Sequence, residues 1–234
     1  MKNRIVLWFT LLAVMALSLA ACGVLQAPEE ASAPLEAIPV DAGSAAGGET
    51  AVSSSAGTTV YTITPGSAQA RFELDEDLRG SRITVVGATD QVAGEIAADL
   101  NNLAATKVGV IQINARTLAT DNNFRNRALS NEILDTGAYE FITFTPTAVN
   151  GLPDSINVGD SVEFTIDGDL TVRDTTNPVT FAVQVTAVSA AQLQGTASAT
   201  ITRSAYGLNI PSVPNVANVE EEVELYIDFT ANAS

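Results

Sequence analysis

Cys22 is the only cysteine among the 234 residues, and the residues before it decide what its thiol could do. Leu19-Ala20-Ala21-Cys22 sets small residues directly ahead of the thiol. A peptidase that cuts before a diacylglycerol-modified cysteine needs that pattern. Upstream stand Lys2 and Arg4, followed by an apolar run from Ile5 to Leu17 that is too short to span a bilayer comfortably. Residues 1–21 therefore read as a lipoprotein export signal and Cys22 as a lipidation site. An ordinary cleaved signal followed by a chance cysteine is the alternative. Acyl chains on Cys22 would carry the membrane attachment, each buried methylene contributing ~0.8 kcal/mol. A lone cysteine leaves no intrachain disulfide, although export permits one.

Other chemistry is narrowed by what the chain lacks. It has no histidine, which removes the commonest general base, the commonest metal ligand and the Ser-His-Asp and Cys-His arrangements. Asp75-Glu76-Asp77 and Asp167-Gly168-Asp169 bring carboxylates together, but neither has the spacing of a calcium loop, and both read as solvated turns. No phosphate-cradling glycine loop, zinc spacing or nucleophile elbow occurs. The expectation is a non-enzymatic protein without metal or cofactor. A carboxylate-dependent enzyme is the distant alternative. The formal charge is −16, and loss of residues 1–21 removes Lys2 and Arg4 and no acid, making it −18. Nucleic acid is excluded as a partner by that balance, since phosphates demand a basic footprint. Anionic head groups are equally unfavourable, so membrane attachment falls to the acyl anchor.

The elements that would position any site begin near Thr58. From Gly23 to about Gly57 the chain is rich in Ala, Ser, Gly, Pro and Glu without an aromatic residue, which reads as a flexible linker. Residues 22–57 are thus a lipidated cysteine and tether, and 58–234 one domain. Within it Val162, Phe164 and Ile166 alternate with polar residues, and Val179, Phe181, Val183 and Val185 do the same. So do Val223, Leu225, Ile227 and Phe229. Strict alternation marks strands with one buried face. Further strands are expected over 60–63, 68–74, 82–88, 91–97, 108–114, 141–149 and 194–203. Roughly ten strands so spaced point to an all-β sandwich or closed antiparallel barrel. One helix interrupts them at 122–134, capped by Asp121 or Asn122, with Phe124, Ala128, Leu129 and Ile133 near one face.

Three stretches, in order, resemble the YceI-like family of polyisoprenoid-binding or lipid-binding domains. They are Ile113-Asn114-Ala115-Arg116-Thr117-Leu118-Ala119-Thr120 through Tyr139-Glu140-Phe141-Ile142-Thr143-Phe144, Gly168-Asp169-Leu170-Thr171-Val172-Arg173 through Pro178-Val179, and Arg203-Ser204-Ala205-Tyr206-Gly207. Together they cover nearly all of 58–231. Arg173 stands where the family's turn commonly carries a histidine. The resemblance implies an extended, lipocalin-like antiparallel β-barrel whose lumen takes an isoprenoid-like apolar lipid, such as a quinone or polyprenyl chain. With the export signal and the acylated Cys22, the expectation is a binding protein outside the cytoplasm, on the cell membrane or outer membrane. Self-association as a homodimer is compatible with it.

Candidate ligand-binding residues follow from the inward faces and the helix: Phe72, Phe124, Ala128, Leu129, Phe141, Phe144, Phe164, Phe181 and Tyr206. Each aromatic is either pocket lining or ordinary core. Phe124 and Leu129 sit where a helix would gate or line a barrel mouth. Arg203 follows Ile201 at strand spacing, so its cation faces inward. It either pairs with an acid and the loop around Tyr206-Gly207, which is favoured, or meets a polar ligand head. A structural or interaction barrel with a filled core is the competing reading. A continuous cavity would separate the two.

Overall fold

In the computed structural model residues 27–40 and 57–234 are described. The signal segment 1–21, Cys22 and residues 23–26 and 41–56 of the linker lie outside the described residues. Alternating side chains generate the strands β1 (Thr59–Ile63), β2 (Ala68–Leu78), β3 (Ser81–Thr89), β4 (Val92–Ala98), β5 (Lys107–Val108) and β6 (Ile111–Asn114). After the helix come β7 (Phe141–Asn150), β8 (Ser161–Val172), β9 (Thr175–Ser189), β10 (Gln192–Thr202), β11 (Val216–Ala217) and β12 (Glu222–Ala233). In β9, Phe181, Val183, Val185 and Ala187 are buried while Thr180, Ala182, Gln184 and Val188 are exposed, as a two-residue period requires.

β1 pairs with β4 and β2 with β3, so residues 59–98 form one long hairpin, bent where Gly66 N–H donates to the Asp90 carbonyl. Sheet order then runs β1-β4-β6-β7-β8-β9-β10-β12. β12 uses one edge for β10 along its length and divides the other between β2 at Glu224–Phe229 and β1 at Asn232–Ala233. The β12–β1 pairing closes an eight-stranded antiparallel barrel. Closure removes the exposed edge that an open sheet would present.

The barrel is not uniform along its length. At the end formed by β1 and β4 the ring of hydrogen bonds is continuous, and this is the narrow end. At the other, β3 meets only an isolated bridge between Ala88 and Ala119 beyond β2. There the wall is completed by residues 115–134. Asn122 caps the helix α1 (Asn123–Ala128), its side chain accepting from Phe124 and Arg125 N–H, and a π-helical turn at Leu129–Ile133 follows. The 122–134 helix of the sequence reading is therefore one short α-turn and one wide turn. Glycine lets two rings lie flat across neighbouring strands. A Cβ at Gly87 would stand 2.3 Å from the Phe72 ring, and one at Gly168 would stand 2.5 Å from that of Phe144.

Residues 27–40, read from composition as part of a tether, lie against the barrel. Ser32 donates from its N–H (2.8 Å) and its hydroxyl (2.6 Å) to Glu140, and Glu29 pairs with Arg116 at 3.0 Å. Leu35 is buried, and Val40 N–H donates to Glu95. This segment lacks a core of its own, but it borrows polar partners and one apolar site from the barrel, which composition cannot register. Among the described residues no helix is long and apolar enough to cross a membrane.

Candidate ligand cavity

Inward side chains at the wide end do not meet. They enclose a cavity of about 800 Å³, within the range of small-molecule sites. Ala70, Phe72, Leu74, Glu76 and Leu78, every second residue of β2, form one wall. Leu170 and Val172 of β8, Phe181 of β9, Ile201 of β10 and Val223 and Leu225 of β12 continue it. The mouth has two lips. One is α1 with Phe124 and Ala128, continued by Leu129 of the π-helical turn, and the other is the 204–221 loop, bringing Leu208, Ile210, Val213 and Pro214.

Each lip is held by an arginine. Arg125 Nη2 donates to Oε1 of Glu76 at 2.9 Å and Nη1 to Asp121 at 2.7 Å, tying α1 to β2. Glu76 is only 6% exposed and lines the cavity, so its charge is tolerated there through the guanidinium partner. Arg203 donates to the carbonyls of Glu220 (2.7 Å), Leu208 (3.3 Å) and Val219 (3.2 Å), and Glu221 lies 3.3 Å away. It binds both ends of the second lip to each other. Glu221 is held below the usual carboxylate range by hydrogen bonds from Ser204, side chain and N–H.

A second, smaller void of about 90 Å³ lies toward the narrow end, lined by Ile63, Ile96, Ile111, Phe164, Val183 and Leu193 among others. Phe144, Phe181 and Ile227 border both spaces.

Of the residues singled out in the sequence, Phe72, Phe124, Ala128, Leu129, Phe144, Phe181 and Arg203 converge on the large cavity. Phe164 borders only the small void. Phe141 does not belong: it is 37% exposed and outside both walls. It lies three residues from Phe144 on one strand, so the two rings face opposite sides of the sheet. Tyr206 is buried in a single 3-10 turn, Ser204–Tyr206, against β9 and β10, and likewise outside both walls.

The acidic clusters also differ from the sequence reading. Asp75, Glu76 and Asp77 are within β2, not a turn. Asp75 and Asp77 face out to Arg82 (3.6 and 3.5 Å) and Glu76 faces in. Asp167 and Asp169 lie within β8, where Asp167 accepts from Asn150 and Thr180. Among the described residues no group of His, Cys, Asp and Glu could hold a metal ion. Not anticipated as cavity residues were Glu76, Arg125 and the apolar residues of the second lip. Continuing the alternation Phe72, Leu74 to position 76 was the available signal for Glu76, and the apolar spacing Leu208, Ile210, Val213 that for the lip.

Similarity to known proteins follows the same outline. A polyisoprenoid-binding domain from Saccharophagus degradans, implicated in plant cell wall breakdown, superposes with a TM-score of 0.60 at 13% identity, over 75% of this chain and 99% of that one. BcnA of Burkholderia cenocepacia gives 0.58 at 18% identity, over 73% and 99%. These likenesses speak to the fold. A UPF0312 protein of Vibrio vulnificus is 31% identical over 101 residues, 43% of this chain and 49% of that protein, so the chain spans about half the length of the curated relatives it matches. The sequence profile of the YceI-like domain matches residues 61–231, from within β1 to near the end of β12, and on that extent the chain belongs to the YceI-like domain family.

Proposed function

We propose that this protein binds an isoprenoid-like apolar lipid, a quinone or a polyprenyl chain, in the wide end of its barrel. The observation that carries the reading is the cavity of about 800 Å³ walled by aliphatic and phenyl side chains, in a fold shared with a polyisoprenoid-binding domain. An apolar wall with few polar groups suits a hydrocarbon tail. Glu76, Arg125 and Arg203 at its rim are spent on the lips, which supports retention of a ligand over acid–base chemistry on it. The competing reading, a display barrel with a filled core, has no use for a space of this size.

The proposal extends to location: export through residues 1–21 and acylation of Cys22, on the motif that precedes it. The full chain, purified from its native membrane, is expected to release a prenyl lipid on solvent extraction, detected by mass spectrometry. Recovery of bulk phospholipid alone would remove the isoprenoid assignment. Cys22→Ser should move the protein from the membrane to the soluble fraction, and a variant that still pellets with membranes would end the anchor reading.

A further inference from the structure

We propose that Phe144 and Phe181 form the floor of the lipid cavity and set the longest tail it accepts. The inference rests on the lipid-binding reading above and adds what limits it. The two rings meet edge to face, centroids 4.8 Å apart at 68°, and both are buried. With Ile227 they are the residues that border both the large cavity and the 90 Å³ void beyond it. They stand where the barrel passes from its open half to its hydrogen-bonded ring.

Neither ring is free to swing aside. Phe144 lies across β8 against Gly168, whose missing side chain makes the room it occupies. Phe181 belongs to the inward set of β9, with buried Val183 and Val185 following it toward the narrow end. The void below is walled almost wholly by hydrocarbon, and it is smaller than an engineered apolar cavity that admits benzene, about 150 Å³. A tail that reaches the floor therefore stops there. Deleting one ring would join the two spaces and admit further hydrocarbon.

The test uses the full chain in detergent and three alcohols of increasing tail length: farnesol, geranylgeraniol and solanesol. In the unaltered protein affinity is expected to rise with length and then level off. Phe181→Ala should tighten solanesol about tenfold, the effect of burying about two more methylenes, while farnesol stays within about twofold. Refilling the lower void with Phe181→Ala/Val183→Phe should return the original length profile. Should Phe181→Ala fail to fold, Phe181→Leu carries the same comparison. Equal changes for every alcohol, or none, in a variant with a normal melting curve would overturn the floor and leave lipid binding standing. Failure of the unaltered protein to bind any of the three would overturn the lipid reading and the floor with it.

Discussion

The two ends of this barrel share the same long strands yet do opposite things with their interior. At the narrow end Ile63, Ile96, Phe164, Val183, Leu193 and Phe229 converge until only about 90 Å³ is left. At the wide end equally apolar side chains leave about 800 Å³ open. Side-chain size does not account for the contrast, because Phe72, Leu74, Leu170 and Leu225 are as bulky as their counterparts below. Backbone closure does. Where β12 reaches β1, every stave is hydrogen-bonded to the next, and the ring is drawn tight enough for opposite walls to touch. Where the far edge of β3 meets only the Ala88–Ala119 bridge, α1 and the 204–221 loop complete the wall and stand away from the opposite strands; α1 is fixed at a few polar points, and the loop by the two-residue β11–β2 ladder and Arg203. A closed ladder sets a diameter, and segments held by a two-residue ladder and a few side chains do not.

The largest test of that contrast truncates one leucine at each end. Leu193→Ala, in the tightly packed ring, should cost about 2–5 kcal/mol in denaturant unfolding, because surrounding strands cannot collapse onto the gap. Leu74→Ala already borders open space and should cost only about 1–2 kcal/mol. Equal losses would mean that both ends are packed alike.

A middling effect is expected at the α1 lip. Arg125→Ala strips Glu76 of its counterion inside an apolar wall and should cost about 1–3 kcal/mol. Adding Glu76→Gln should recover part of that loss, since an uncharged amide is cheaper to leave there. A double variant no more stable than Arg125→Ala would show that the pair is exposed to water and holds nothing.

The smallest effect concerns the 27–40 segment, on the outside of the barrel. Burial pushes the Glu140 carboxyl up, but hydrogen bonds from Ser32 (hydroxyl and N–H) and from Asn114, with Arg116 alongside, outweigh it and leave its pKa below the ordinary value of 4.5. A depressed folded pKa stabilises the contact above that ordinary value and loses it as pH falls through the depressed one. Amide exchange within 27–40, taken relative to the intrinsic exchange rate at each pH, should thus be unchanged from neutrality down to about pH 5 and accelerate at lower pH. Glu140→Gln should accelerate it at neutral pH, modestly, because these contacts are solvent-accessible. Exchange that speeds up already near pH 6 would place the control on another group.

Much of the scaffold was legible from period alone. Val162 to Val172, Val179 to Val185 and Val223 to Phe229 alternate because one face of each strand must avoid water, and the structure keeps that phase throughout. The strand running past Leu74 to Leu78 was harder to see, since three consecutive acids look like a turn. Only the partners brought by the fold, Arg82 of β3 outside and Arg125 of α1 inside, let three acids stand in one strand. Phe141 and Phe144 show the converse: their spacing already forbade a shared face, and the resemblance of their segment to a family motif does not change strand geometry.

By itself, then, the sequence carried most of the strand faces, the absence of histidine and sulfur chemistry in the domain, and the single thiol at Cys22. Those are consequences of local sterics, of which atoms are present, and of one face meeting water. Tertiary structure alone decided that the barrel is hollow at one end and filled at the other, that Glu76 is buried against Arg125, and that residues 27–40 rest on Arg116 and Glu140. An inward phenylalanine has the same alternation whether it meets a facing ring, as Phe144 meets Phe181, or looks into empty space, as Phe72 does. The distance to the opposite wall is set by how the whole ring closes, and no local stretch of chain records it.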